Sequence, residues 1–175
     1  RGRARRAHPP ASCTCGVAAD PRRARYNAPM AQAVKEFLVR TPFFGGLSDA
    51  SLELLVSMLV ECRFDAGATV VAEGEPGRSM FVVHSGELVV SRRADAEHVI
   101  HMARLEPGDF FGEMTLIEMQ NRSATVVAES PTVLYELTAG KLYACYKADI
   151  QAYVMVMQNV NRELCRRLRR ADRRI

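Results

Sequence analysis

Between residues 61 and 140 the apolar residues come in short runs, each cut off by a turn signal. The runs fall at 62–64, 69–72, 80–84, 88–91, 98–105, 123–128 and 132–137. Ala66-Gly67, Pro76-Gly77, Ser85-Gly86 and Pro107-Gly108-Asp109 separate them. Runs this short, rich in Val, Phe and Thr, read as strands rather than helices. About eight strands within about 75 residues, joined by tight turns, predict a small jelly-roll barrel.

The flanks carry a different period. Val34, Phe37 and Leu38 share a helical face, and a break follows at Thr41-Pro42 and Gly45-Gly46. Ser48 or Asp49 caps a second helix in which Leu52, Leu55, Val56, Leu59 and Val60 recur at helical spacing. Helix returns at Lys141, and one long helix is expected over 149–174, roughly 40 Å long at 1.5 Å per residue. The fold class is therefore α+β: an eight-stranded jelly roll with N-terminal helices, a short helix inside the barrel and a long C-terminal helix. The expected organisation is a disordered basic leader over 1–29, N-terminal helices over 30–60, the β core over 61–140 and C-terminal helices over 141–175. Because the first Met is Met30, the leader reads as a tag, an extension or a misplaced start.

Charge divides along the chain. Residues 1–25 carry net +6 and residues 162–175 net +5, which leaves net −7 for 26–161 within a total of +4. The basic ends lack interleaved aromatic residues for stacking bases, which weighs against nucleic acid as a partner of this chain. The longest apolar stretch, 52–60, is broken by Glu53 and Ser57, far short of the roughly 20 residues a membrane helix needs. Five cysteines without regular spacing fit free thiols in a reducing cytoplasm, and Cys13-x-Cys15 lacks the second pair a zinc site requires.

One segment carries chemistry. Over 107–125 the sequence reads PGDFFGEMTLIEMQNRSAT: a strand ends at Gly112, a short helix opens on Glu113, and Arg122 starts the next strand. Gly112 lets an anion approach the backbone. The first turn of the helix offers unpaired N–H groups, and Arg122 offers a planar fork to phosphate oxygens. Glu113 is a pure acceptor suited to a sugar hydroxyl. A carboxylate close to a phosphate needs a donor between them, and a ribose 2′-OH is one.

Phe111-Gly112-Glu113-Met114-x-Leu116, followed by Arg122-Ser123-Ala124, resembles the phosphate-binding cassette of cyclic nucleotide-binding domains. Such domains occur in catabolite-activator-type regulators and protein kinase A regulatory subunits. The resemblance spans about 120 residues, including the Ser85-Gly86-Glu87 turn. It implies a ligand-binding set of Gly112, Glu113, Met114, Thr115, Arg122 and Ser123. Glu113 would take the ribose 2′-OH and Arg122 the cyclic phosphate. Gly112 and Thr115 would add backbone N–H groups, and Ser123 a hydrogen bond. Thr115 stands where the family often has Ala, and Asn121 where it often has Pro. Val90, Met102 and Ala103 are the candidates for the nucleobase wall. Ser after the Arg is compatible with cAMP, which is favoured over cGMP. The resemblance implies no cofactor and no catalytic residues, and no nucleophile–base pair lies near the cassette.

In the last helix Ile150, Val154, Met157, Asn161, Leu164, Leu168, Ala171 and Ile175 follow 4–3 spacing, a coiled-coil-like seam with a polar Asn161 in it. A second stripe of Tyr146, Tyr153, Val156 and Val160 is expected to pack on the barrel. The seam predicts a homodimer, and the alternative is one broad stripe covering the barrel. By resemblance, ligand in the barrel draws this helix and the cassette together. No helix-turn-helix follows, so the chain is a stand-alone sensor or a fragment of a longer protein, with an unknown effector. The rival readings are a cupin-type metalloprotein using His84, His98 and His101, and a domain that has lost its ligand. His98 and His101, three apart, point to opposite faces of a regular strand.

Overall fold

In the computed structural model, residues 23–24, 28–95, 98–118 and 120–172 are described. Two helices come first, α1 (Ala28–Val39) and α2 (Asp49–Met58), with a 3₁₀ turn (Pro42–Phe44) between them. A two-residue strand β1 (Arg23–Ala24) precedes α1. The barrel strands are β2 (Val60–Phe64), β3 (Thr69–Val71), β4 (Ser79–Ser85), β5 (Leu88–Arg93), β6 (Val99–Leu105), β7 (Phe110–Phe111), β8 (Thr125–Ala128) and β9 (Thr132–Thr138). The short α3 (Met114–Glu118) lies between β7 and β8, and α4 (Ala139–Ala148) and α5 (Ile150–Asp172) close the chain. Strands β2 to β9 form two antiparallel sheets, ordered β2-β9-β4-β7 and β3-β8-β5-β6, with β1 extending the first.

The jelly-roll expectation and the long C-terminal helix are both realised. The leader expected over 1–29 lies largely outside the described residues. Inside it, however, Arg23 and Ala24 pair with Cys62 and Glu61, and α1 begins at Ala28. Cys13 and Cys15 also lie outside the described residues. Strand β7 carries too little sequence to show a period, and it emerges only through its pairing with Phe81 and Val82.

Strand β4 is buried on both faces, so its run is continuously apolar rather than alternating. Met80 and Val82 point toward the helices, where they join Leu38, Phe43, Leu55 and Val156 in one core. Phe81 and Val83 point between the sheets and meet Leu88, Phe111, Val126 and Leu134 in a second core. Phe110 and Phe111 divide between the two cores in the same way.

Ser48 caps α2, its Oγ accepting from the Ser51 N–H at 3.1 Å. Thr138 caps α4 through the Lys141 N–H. Asp149 sits between α4 and α5, accepting from the Ala152 N–H at 3.0 Å and the Ser51 hydroxyl at 2.6 Å. These bonds draw its carboxyl below the ordinary value and tie the helix junction to α2.

The 23 residues of α5 span about 35 Å. Ala152, Val156, Asn159 and Val160 are its buried face. The expected seam divides: Met157 and Leu164 pack partly against the chain's own core, whereas Ile150, Val154 and Leu168 are exposed. Ile175 lies outside the described residues. Tyr146 departs from the expected barrel-facing stripe. It is 44% exposed and stacks with Tyr143, its edge against Tyr153. The seam's Asn161 is exposed, and Asn159 is the polar anchor. Its Nδ2 donates to the Phe43 and Gly45 carbonyls at 3.0 and 2.8 Å, and its Oδ1 accepts from Arg162.

Asn159→Ala leaves two carbonyls without this donor. Urea denaturation should show a loss of about 1–3 kcal/mol. A change within 0.5 kcal/mol, roughly the scatter of ordinary surface substitutions, would mean that the anchor does not hold α5.

Candidate functional site

Arg122 is fixed first by its backbone. Its N–H donates to the Glu75 carbonyl at 2.8 Å and its own carbonyl accepts from Gly74, while Asn121 bridges Pro76. The side chain then runs under two glycines. A Cβ on Gly77 would collide with Nε and Cζ of Arg122. At Gly112, whose φ of +80° already favours glycine, a Cβ would strike Nη1 of Arg122. Nη1 donates to the Ser79 carbonyl at 2.7 Å and to Thr115 Oγ1 at 3.2 Å, and Nη2 donates to Ser79 Oγ at 3.2 Å. The guanidinium lies 5.8 Å from the Phe81 ring centroid, and the residue is only 7% exposed.

Thr115 has a definite part here. Its hydroxyl donates to the Gly112 carbonyl at 2.8 Å while accepting from Arg122, so the side chain that replaces Ala positions the guanidinium. Ser79 was not singled out in the sequence. Its contribution is a carbonyl and a hydroxyl reached from 43 residues away.

Glu113 is also buried, and its partner comes from α5. Arg167 Nη1 donates to Glu113 Oε1 at 3.0 Å, and Nη2 donates to the Phe110 carbonyl at 2.6 Å. The same guanidinium lies 5.0 Å from the Phe110 ring centroid and donates from Nε to Glu163 at 3.4 Å. Burial pushes the Glu113 carboxyl above its ordinary value, and the Arg167 charge opposes that rise.

A cavity of about 680 Å³ joins these groups. Gly112, Glu113, Met114, Thr115, Arg122, Ser123, Val90, Met102 and Ala103 all line it. Met102 and Ala103 are sequence neighbours, yet both face the cavity. Strand β6 is bulged at this point: Val90 pairs with Ala103 and Ser91 with His101, leaving Met102 as the extra residue. Glu163, Arg167, Arg170 and Ala171 close the cavity from α5. Sequence reasoning gave these helix residues no part in the site, and the i,i+4 spacing of Glu163 and Arg167 is the one local signal of a structured role.

The three histidines of the rival metal site do not converge. His84 lies between the Phe37 and Tyr135 rings, with centroids at 4.7 and 5.0 Å, while His98 binds Asp95 on the exposed β5–β6 hairpin. Among the described residues no three His, Cys, Asp or Glu side chains come together in a metal-ligating group. Nor is any described helix long and apolar enough to cross a membrane.

Residues 61–149 match the family model of the cyclic nucleotide-binding domain. The chain belongs to that family. A cAMP-activated, CRP-like global transcriptional regulator of Mycobacterium tuberculosis is 30% identical over 139 residues, which cover 78% of this chain and 59% of the regulator. A cGMP-dependent protein kinase of Eimeria tenella is 35% identical over 99 residues, covering 57% of this chain and 9% of the kinase. This cyclic nucleotide-binding domain thus spans well under two-thirds of the length of either relative. The catabolite activator protein of Thermus thermophilus superposes with a TM-score of 0.68 at 30% identity, covering 75% of this chain and 60% of that one. A cyclic nucleotide-binding domain from Methylobacillus flagellatus shares the fold with a TM-score of 0.77 at 24% identity, covering 83% and 84% of the two chains.

The buried carboxyl of Glu113 should take up its proton at a higher pH than an ordinary glutamate. Arg167→Ala, by removing the opposing charge, should move that titration further up. Carboxyl ¹³C shifts followed against pH measure both effects, and a titration unmoved in the variant would show that Arg167 does not govern Glu113.

Proposed function

We propose that this chain is a regulatory module that binds a 3′,5′-cyclic nucleotide and passes the event to its C-terminal helix. The observation that carries the reading is that Arg122 and Glu113, nine positions apart, line one cavity from opposite ends of the cassette. Arg122 takes the cyclic phosphate and Glu113 the ribose 2′-OH. The backbone N–H groups of Gly112 and Thr115 and the Ser123 hydroxyl complete the phosphate contacts, with Met114 alongside. The base lies against Val90, Met102 and Ala103. Ser123 directly after Arg122 favours cAMP over cGMP. The module binds and does not catalyse.

Coupling to α5 runs through Arg167. One oxygen of Glu113 already accepts from that guanidinium. A carboxylate has about four lone-pair sites, so it can accept from the ribose as well. The ligand is thus recognised by a group that α5 also holds, and any preference for one position of α5 becomes a population shift on binding. The exposed Ile150, Val154 and Leu168 supply the surface for a homodimer through α5. Cys62, Cys145 and Cys165 are free thiols, which suits a cytoplasmic protein. The effector downstream is a separate question of partner chemistry.

Arg122→Ala tests the assignment. Losing a desolvated guanidinium–phosphate pair costs roughly 2–5 kcal/mol, or about 30- to several-thousand-fold in affinity at 1.4 kcal/mol per tenfold. Calorimetry with cAMP and cGMP should register that loss while circular dichroism stays unchanged. An unaltered Kd contradicts the reading. Coupling should appear as ligand-dependent hydrogen exchange across residues 141–170, and identical exchange with and without ligand would remove α5 from the mechanism.

A further inference from the structure

The cavity holds more positive charge than one cyclic phosphate calls for. Besides Arg122 and Arg167, it is lined by Arg92 and Arg104 from the β5–β6 hairpin and by Arg170 from α5. The nearby carboxylates are largely committed. Glu113 and Glu163 both accept from Arg167, and Asp109 accepts from the Glu106 N–H at 2.9 Å. Arg104 is tied to Glu129 at 2.9 Å.

Arg92 and Arg170 remain. Among the described residues Arg92 keeps only a 3.5 Å contact to Glu73, whose other oxygen is taken by the Arg93 N–H, and its side chain is 62% exposed. Arg170 is exposed, lines the cavity and makes no hydrogen bond or ion pair among the described residues. Two guanidinium groups, one on the hairpin and one on the closing helix, thus line the solvent side of the cavity with most of their donors unused. A guanidinium carries five donors and no acceptor, so what it recognises there is an acceptor-rich anion.

This inference rests on the preceding reading of Arg122 and Glu113. Those two groups recognise a ribose 2′-hydroxyl beside a 3′-phosphate. A 3′,5′-linked cyclic dinucleotide presents the same pair of groups. It differs from a cyclic mononucleotide in carrying a second phosphodiester across its ring, which needs a second cationic seat. We infer that Arg92 and Arg170 form a second phosphate subsite, so that this domain accepts a 3′,5′-linked cyclic dinucleotide as well as a cyclic mononucleotide.

Titration calorimetry on the full chain with cAMP, cyclic di-AMP and cyclic di-GMP decides the matter, comparing the native sequence with the double variant Arg92→Ala/Arg170→Ala. At least one dinucleotide should bind. Its affinity should fall about tenfold or more in the double variant, the scale of two solvent-exposed ion pairs, while cAMP affinity stays within about twofold of the native value on the same scale. Dinucleotide binding should also weaken more steeply with added NaCl than cAMP binding, because the second seat is exposed. If cAMP binds and neither dinucleotide does, or if the double variant weakens both ligands equally, the second subsite is overturned and the mononucleotide reading stands. If no cyclic nucleotide of either class binds the native chain, the reading of Arg122 and Glu113 fails and takes this inference with it.

Discussion

The site depends on keeping one guanidinium at the floor of the barrel in a fixed orientation. A long flexible side chain loses about 2 kcal/mol of rotamer freedom when it is held. Here the holding is distributed: two glycines leave room for the chain, Ser79 and Thr115 accept from its two terminal nitrogens, and the Phe81 ring lies beside it. The anchor strand β4 is rigid for a separate reason, since its side chains are buried alternately in both cores. Preorganisation of this kind lets binding energy go into the ligand contact instead of into ordering the protein.

The second constraint is the buried carboxyl of Glu113. Burial of a charge is costly unless it is paired, and the pair is completed only when α5 lies across the barrel mouth. The position of α5 and the electrostatics of Glu113 are therefore one problem. Arg167 also donates to the Phe110 carbonyl, so the helix is held to β7 at the start of the cassette. Asn159 and Asp149 pin the earlier turns of the helix to the N-terminal segments. The arginine-rich end of α5 is thus a working wall of the cavity, although its composition resembles a solvated tail.

How much of this was legible in the chain follows the range of the interactions. The cassette was legible because Gly112, Glu113, Thr115, Arg122 and Ser123 are close in sequence and their types carry their chemistry. The jelly roll was legible from turn residues at regular spacing. Ser79 was not, because a hydroxyl 43 residues from its partner leaves no local pattern. Arg167 was not, because its role depends on where a 23-residue helix docks. The polar residue of consequence in α5 proved to be Asn159 rather than Asn161. Hydrophobic spacing alone offered two candidate faces, and packing against the 3₁₀ turn chose between them. Met102 and Ala103 both line the cavity, beside a bulge in β6 that periodicity does not reveal.

A crystal structure of the domain grown with cAMP is the most direct test of the central claim. The account requires the exocyclic phosphate oxygens within hydrogen-bond distance of the Arg122 guanidinium, about 2.7–3.2 Å, and the ribose 2′-hydroxyl donating to Glu113. A nucleotide found elsewhere on the molecule, or one whose phosphate faces away from Arg122, would contradict it.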